Sequence, residues 1–164
     1  MTDAHREWDA GSYHAVAAPQ ERWGRRVLDR LALRGDETVL DAGCGTGRVT
    51  RLIAERLPRG RVIAVDGSHA MADRARAELS DLGDRVDVRQ GDLLDLTVDE
   101  PVDAIVSTAT FHWILDHATL FSRLAAALRP GGRLTGQCGG LDNIAGVIAT
   151  MAPVADGQPY AEHL

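Results

Sequence analysis

The stretch Val39-Leu40-Asp41-Ala42-Gly43-Cys44-Gly45-Thr46-Gly47 decides how the chain folds. It starts as a short β-branched and apolar run and enters a cluster of glycines, after which apolar residues recur at helical spacing from Val49 to Leu57. This pattern predicts a strand over 38–41, a tight loop and a helix. Glycine suits such a loop because it tolerates a sharp turn and, having no Cβ, lets a ligand approach the backbone.

Strand and helix patterns alternate on both sides of this loop. Short apolar or β-branched runs predict further strands over 61–65, 86–89, 102–107 and 133–137, the last of them after a turn at 130–132. Helical spacing predicts helices over 20–33, 70–82 and 117–128, and the first of these places Trp23, Val27, Leu28 and Leu31 on the face toward the sheet. We therefore predict an α/β fold with three layers, in which a doubly wound, mostly parallel sheet has helices on both faces. Ligands of such sheets bind beyond the carboxyl ends of the strands.

The composition is that of one globular domain of 164 residues, with 45% hydrophobic and 26% charged residues. All 18 basic residues are arginine, and the 24 acidic residues leave a net charge of −6, which argues against nucleic acid or an anionic membrane as partner. The absence of lysine excludes a Schiff-base mechanism. Two cysteines, no secretory signal and no apolar run of the roughly 18 residues that span a membrane predict a soluble, cytoplasmic protein.

The glycine loop and the acidic residue after the second strand predict a site for a nucleoside cofactor. The dinucleotide fingerprint G-x-G-x-x-G requires glycine at position 48, where this chain has Arg48, so a nicotinamide site is disfavoured. Asp66, at the end of the second strand, can accept hydrogen bonds from both ribose hydroxyls of either kind of nucleoside cofactor. Asp66 or Ser68 is also suited to cap the helix that follows. The loop and Asp66 therefore predict a nucleoside site, and Asp66 alone does not identify the cofactor.

On Asp41, Gly43, Gly45 and Gly47 the chain resembles the class I S-adenosylmethionine-dependent methyltransferases, whose first motif is acidic-x-G-x-G-x-G. The resemblance implies a Rossmann-like methyltransferase fold and S-adenosylmethionine as cofactor, with no metal. It implies that the loop backbone, Cys44 included, meets the amino acid portion of the cofactor, whose cationic side suits the carboxylate of Asp41.

The same resemblance assigns the remaining cofactor residues. It implies that Asp66, Gly67 and Ser68 lie at the ribose, and that Asp92 and Leu93 contact the adenine. Met71 is expected on the other face of the adenine ring, although core packing explains a methionine there equally well. Thr108 and Ala109 are expected beside the transferred methyl group.

A second stretch, Phe111-His112-Trp113-Ile114-Leu115-Asp116-His117, together with Gln137, resembles the trans-aconitate methyltransferase subgroup, which methylates small carboxylic acids. Trp8, Asp9 and Tyr13 resemble the lid of that subgroup, so we expect a lid over 1–19. Thr108 and His112 stand where that subgroup is expected to have asparagine and glutamine, which leaves the acceptor open. We predict Tyr13 and Trp113 in the acceptor pocket, although packing in the core or against the lid explains a tryptophan at 113 equally well. For His112 we predict a general base, a residue that orients the acceptor, or a structural residue.

We expect a core over 20–140 and an incomplete C-terminal part over 141–164, because the last two strands of the methyltransferase fold are not evident. A shortened chain, or a homodimer that covers the exposed sheet edge, accounts for this. Three functions stay open: a methyltransferase acting on a small molecule, an NAD-dependent oxidoreductase, and a cofactor-binding remnant without catalysis.

Overall fold

A parallel sheet organises the part of the chain that the computed structural model describes, namely residues 18–140, 142–143 and 145–155. The strands are β1 (Thr38–Ala42), β2 (Arg61–Asp66), β3 (Val86–Gln90), β4 (Val102–Thr108) and β5 (Leu128–Gln137). The helices are α1 (Ala18–Leu31), α2 (Arg48–Glu55), α3 (His69–Glu78), α4 (His117–Ala127) and α5 (Ala145–Ala155). The strand order is β3-β2-β1-β4-β5, and every neighbouring pair is parallel. The predicted α/β fold is confirmed.

The two faces of the sheet bury separate apolar clusters, because side chains alternate along each strand. On one face, Val39 packs with residues of α1 and α2 such as Leu28 and Ile53. On the other face, Leu40 packs with Leu120 and its neighbours on α4. The helices therefore form an outer layer on each side, as the sequence predicts.

Helix α1 crosses α2 at a glycine. A Cβ placed on Gly24 would lie 2.7 Å from the nearer methyl carbon of Val49, so this position has no room for a side chain. Trp23, predicted on the buried face of α1, is 37% exposed, so that expectation is wrong. The helix ends at Leu31, and Ala32 has a φ of 48°, which stops it two residues before the predicted boundary.

Two other boundaries differ from the prediction by about four or five residues. Helix α3 ends at Glu78, and a 3₁₀ segment over Ser80–Arg85 follows, with a break at Gly83 (φ 53°). Strand β5 begins at Leu128, which pairs with Val102, and the predicted turn at 130–132 forms an irregularity inside the strand. Pairing resumes at once, since Arg133 lies opposite Ala104. The apolar contact of Leu128 starts the strand early, and Gly131 (φ 78°) absorbs the extra residues.

Several expectations fall outside the described residues. Trp8, Asp9 and Tyr13, and most of the predicted lid, belong to the residues that the structure does not describe. Within the described range, α5 is the element that follows β5. No helix among these residues is both long and apolar enough to cross a membrane.

Candidate functional site

A cavity of about 790 Å³ lies where the carboxyl ends of the five strands meet. A residue at or directly after the end of each strand contributes to its wall; in the order β1 to β5 these are Gly43, Asp66, Gly91, Thr108 and Gln137. The predicted site residues Gly43, Gly45, Asp66, Gly67, Ser68, Met71, Asp92, Leu93, Thr108, Ala109, His112 and Trp113 all line it. The structure thus brings most of the predicted residues together, at the place where parallel sheets bind ligands.

The glycine loop is held against β2 by backbone hydrogen bonds. The N–H groups of Gly43 and Cys44 donate to the carbonyl of Val65, at 2.8 and 3.0 Å. Gly43 has a φ of 87°, and a Cβ there would lie 2.1 Å from Oγ1 of Thr110. Oγ1 of Thr110 in turn donates to the carbonyl of Gly43 at 3.3 Å. Glycine is required at this position by the backbone angle and by the contact with Thr110.

Asp66 anchors the loop from the end of β2. Its Oδ2 accepts a 2.7 Å hydrogen bond from the N–H of Gly45, and its Oδ1 accepts one of 2.9 Å from the N–H of Ser68. The helix cap is Ser68, whose Oγ accepts a hydrogen bond from the N–H of Met71 at 3.3 Å. Each carboxylate oxygen has more than one lone pair, so Asp66 is able to accept further hydrogen bonds from a ligand in the cavity.

Apolar and acidic side chains form the part of the cavity wall next to the end of β3. Met71 and Leu93 are 3% and 5% exposed and line the cavity with their remaining surface. Asp92 accepts a 2.9 Å hydrogen bond at Oδ1 from the N–H of Leu94, which fixes the short helical turn over Leu93–Asp95. An apolar wall that also carries a carboxylate suits a purine ring with an exocyclic amine.

Three predicted residues of the glycine motif lie behind the cavity wall rather than in it. Gly47 is the N-cap of α2, with a φ of 84°. Cys44 is buried against Ala75 and Leu79, and burial raises the pKa of its thiol well above the usual range. Asp41 is fully buried. These positions support the loop, and any contact of their side chains with a ligand stays a prediction.

The carboxyl group of Asp41 is only half satisfied. Its Oδ2 accepts a 2.7 Å hydrogen bond from Oγ1 of Thr50, whereas Oδ1 is buried without a partner. Burial raises the pKa of Asp41 to about 7; the charge of Asp66 adds to this, and the Thr50 hydrogen bond opposes it. A buried carboxyl oxygen without a donor is costly, and the negative charge of this group, when ionised, favours positive charge in the neighbouring cavity.

Oε1 of Gln137 is the second buried oxygen without a partner among the described side chains. Gln137 pairs in register with Thr108, and Asp41 pairs with Val106. Val106 and Thr108 are two residues apart on β4, so the side chains of Gln137, Thr108 and Asp41 share one face of the sheet. The β1, β4 and β5 ends thus present acceptors on the same side.

The far side of the cavity is formed by the segment after β4. A 3₁₀ turn over Phe111–Trp113 carries His112 and Trp113, whose rings lie 4.8 Å apart. Trp113 is 54% exposed, as expected for a residue at an opening. His117, at the start of α4, donates from Nε2 to the carbonyl of Phe111 at 3.0 Å and so supports this turn.

Sequence reasoning missed several residues of the wall. Those not predicted as site residues include Trp23, Gly91, Leu94, Thr110, Ile114, Leu115, Asp116, Gln137, Gly139 and Asn143. Thr110, Gln137 and Gly139 follow or end a strand. Because ligands of parallel sheets bind beyond the carboxyl ends of the strands, these residues could have been predicted. Trp23 lies on α1, far away in sequence, and no local pattern marks it.

The family model for a methyltransferase domain matches residues 39–132, which contain the glycine loop and strands β1 to β4. The chain belongs to this methyltransferase family. The chain is also 41% identical over 130 residues to trans-aconitate 2-methyltransferase of Azoarcus sp. strain BH72, a match that covers 79% of this chain and 50% of that protein. The chain spans about half the length of the curated relatives it matches.

Solved structures place the methyltransferase domain in the same fold. An S-adenosylmethionine-dependent methyltransferase from Aquifex aeolicus aligns with a TM-score of 0.64 and 23% identity, over 76% of this chain and 69% of that one. Geranyl diphosphate C-methyltransferase of Streptomyces coelicolor A3(2), solved with S-adenosylhomocysteine, aligns with a TM-score of 0.64 and 30% identity, over 70% of this chain and 42% of that one. The resemblance on Asp41 and the glycines is confirmed at the level of family and fold.

Proposed function

We propose that this methyltransferase domain binds S-adenosylmethionine and transfers its methyl group to a small carboxylic acid. The observation that carries the proposal is the meeting of the glycine loop, Asp66 and Asp92 around one cavity at the strand ends. The sequence similarity to proteins named trans-aconitate 2-methyltransferase supports a small acid as the acceptor.

The described residues fit the three parts of this cofactor. The carboxylate of Asp66, which lines the cavity and accepts from Gly45 and Ser68, is an acceptor that suits the two ribose hydroxyls. The apolar surfaces of Met71 and Leu93 on the cavity wall suit the adenine, and Asp92 lines the same cavity. Gly45 has no atom within 4 Å of where a Cβ would stand, which leaves open space against its backbone.

The ammonium of the cofactor fits the acceptors that the protein leaves without donors. An ammonium has three N–H donors and a positive charge, and Oδ1 of Asp41 and Oε1 of Gln137 are buried oxygens without partners. Asp41 lies behind the cavity wall, so it acts on the ammonium through its charge or by holding the loop backbone in position. Its negative charge stabilises the cationic ligand in either case.

When bound, the cofactor supplies a methyl group on a positively charged sulfur. Its transfer is an in-line displacement that depends on close alignment and on the exclusion of water. The task of this chain is therefore to bind, orient and enclose. Thr108 ends β4 and Ala109 follows it, both beside the cavity, and Trp23 and Trp113 contribute aromatic surface to the wall.

The alternative of an NAD-dependent oxidoreductase has less support. Arg48 occupies the position of the third glycine in the dinucleotide fingerprint. A remnant that binds the cofactor without catalysis shares the same nucleoside site, and acceptor turnover distinguishes it from the enzyme.

Calorimetric titration with S-adenosylhomocysteine, with NADH titrated in parallel, tests the cofactor. We expect micromolar binding of S-adenosylhomocysteine, no signal with NADH, and loss of binding in Asp66→Ala. Asp87→Ala is the matched control, since it removes an exposed carboxylate from the neighbouring strand β3, outside the cavity. Binding of NADH alone would reverse the assignment, and equal binding by both aspartate variants would remove Asp66 from the site.

The proposal also includes a cytoplasmic location and a homodimer. Cys44 and Cys138 are both free thiols, in keeping with a reducing cytoplasm. Strand β5 is an edge of the described sheet, and a second copy that pairs along it would cover its backbone groups. Light scattering tests this homodimer. The lid over 1–19, the core over 20–140 and the acceptor role of Tyr13 stay predictions.

A further inference from the structure

One ring nitrogen of His112 forms a hydrogen bond with the backbone. Its Nδ1 accepts a hydrogen bond from the N–H of Gly139, at 3.3 Å, in the segment that follows β5. His112 itself follows β4, so this contact joins the ends of two neighbouring strands at the wall of the cavity.

The turn that carries His112 is firmly anchored. Phe111 is buried and packs edge-on against Phe121, with ring centroids 5.4 Å apart. The carbonyl of Phe111 accepts hydrogen bonds from Nε2 of His117 and from the N–H of Ile114. Because the backbone is fixed, the orientation of the His112 ring depends on Gly139 and on the neighbouring ring of Trp113.

The Gly139 contact determines which nitrogen carries the proton. A neutral imidazole has one N–H and one lone pair, and the nitrogen that accepts from a backbone N–H is the one with the lone pair. Nε2 of His112 then carries the hydrogen. Among the residues that the structure describes, Nε2 has no hydrogen-bond partner.

A general base needs a lone pair on the ring nitrogen that the protein leaves available, and here that nitrogen, Nε2, is a donor. We propose that His112 is a positioning residue, which donates its Nε2–H to one carboxylate oxygen of the acceptor. The inference rests on the proposed methyl transfer. It adds that the acceptor is bound as an ionised carboxylate and names the side chain that holds it.

A carboxylate acceptor is chemically consistent with a donor at this place. One oxygen accepts the hydrogen bond from His112 while the other forms the new C–O bond to the methyl carbon, as the S–C bond breaks and its electron pair passes to sulfur. The product is a neutral ester and a thioether, and no proton is released. A charge-assisted hydrogen bond also fixes the orientation of the carboxylate.

The ring tautomer gives a first test that needs no turnover. We would record long-range ¹H–¹⁵N correlations of histidine in the S-adenosylhomocysteine complex at pH 8, and assign His112 from the signals missing in His112→Gln. We expect the Nε2–H tautomer. The Nδ1–H tautomer, or an averaged mixture of both, would overturn the proposal.

A second test measures the dissociation constant of trans-aconitate for the same complex by calorimetry. His112→Gln keeps a side-chain N–H and should bind within about threefold of the natural chain, whereas His112→Ala should bind roughly tenfold more weakly or worse. His69→Gln is the matched control, on the exposed surface of α3 beside Asp73.

The outcomes separate the two proposals. Equal affinity in the natural chain and His112→Ala, or equal loss in both His112 variants, would contradict the donor role. Failure of the natural chain to bind trans-aconitate would contradict the carboxylate acceptor. Failure to bind S-adenosylhomocysteine would contradict the proposed function itself, and the tautomer, then measured in the free protein, would still decide which nitrogen of His112 is the donor.

Discussion

Asp66 and Gly45 are joined by a 2.7 Å hydrogen bond from the Gly45 N–H to Oδ2 of the carboxylate. The end of β2 therefore fixes the shape of the loop that follows β1. The same carboxylate orders the first turn of α3 through the N–H of Ser68. One side chain thus organises three elements and also faces the cavity, so its replacement should affect folding and ligand binding together.

We expect Asp66→Asn to lower both stability and affinity, although it preserves the size of the side chain. An amide nitrogen cannot accept a hydrogen bond, so either Gly45 or Ser68 loses its partner, at about 1–3 kcal/mol. Urea unfolding should register this loss, and calorimetry should show S-adenosylhomocysteine binding weakened at least tenfold. Asp87→Asn, on the exposed face of β3, should leave both quantities unchanged; a similar change there would mean that the effect is not specific to the loop.

The Asp41 carboxyl should make stability depend on pH. Its pKa in the folded chain is about 7, above the ordinary 3.8, so between these values the native state binds more protons than the unfolded state. Stability due to this group is therefore present at acid pH and is lost as pH rises toward 7. Relative to Asp41→Asn, the natural chain should lose on the order of 3 kcal/mol between pH 5 and pH 8. Parallel pH profiles of unfolding for the two proteins would contradict this.

Ligand affinity should depend on the same group with the opposite sign. The ionised form of Asp41 stabilises the ammonium group of the bound ligand, so the affinity for S-adenosylhomocysteine should increase as pH rises from 6 to 8. The increase has an upper limit of about tenfold per pH unit below the pKa of Asp41 and should level off above it. In Asp41→Asn the affinity should change far less over this range, and calorimetry at several pH values gives the comparison.

Gly43→Ala should disrupt the loop because of two effects, a positive φ and a clash with Thr110. Gly131 provides a control for the first effect alone, since it also has a positive φ but has no atom within 4 Å of where a Cβ would stand. Gly131→Ala should therefore cost about 1 kcal/mol, and Gly43→Ala clearly more, with loss of S-adenosylhomocysteine binding. Equal costs in urea unfolding would exclude the clash with Thr110.

Gly24→Ala tests the crossing of α1 and α2. Alanine is the better helix former by about 1 kcal/mol, so without a clash the variant would be more stable. The 2.7 Å approach to Val49 should reverse the sign and destabilise the protein. In the double variant Gly24→Ala with Val49→Ala, the nearest remaining atom of residue 49 is its Cβ at 3.5 Å, so the two changes should be strongly non-additive. Additive losses would show that the helices move apart instead.

Local patterns predicted the sheet and most of the cavity wall. Asp66, Asp92 and Thr108 could be found because each lies at or just after the end of a strand, and the ends of parallel strands meet at one edge. Gly43 could be predicted because a cluster of glycines between a strand and a helix indicates a tight turn, which requires the backbone freedom of glycine. The family was recognisable from the same loop, in which chemistry and geometry restrict many positions at once.

The remaining features depend on contacts between distant parts of the chain. Trp23 has the helical spacing of a core residue, and only the position of α1 against the strand ends exposes it to the cavity. The early start of β5 depends on Leu128 meeting Val102, whereas proline and glycine at 130 and 131 locally favour a turn. The role of His112 depends on Gly139, 27 residues away.

The two cysteines differ in a way that makes the loop observable. Cys138 is exposed next to Gln137, whereas the side chain of Cys44 packs from the loop against Ala75 and Leu79. The pKa of the Cys44 thiol is also raised, so this thiol is poorly reactive. An alkylating label should therefore modify Cys138 quickly and Cys44 only when the loop detaches from α3. The rate of the second modification reports how often the loop opens, and a bound nucleoside should slow it.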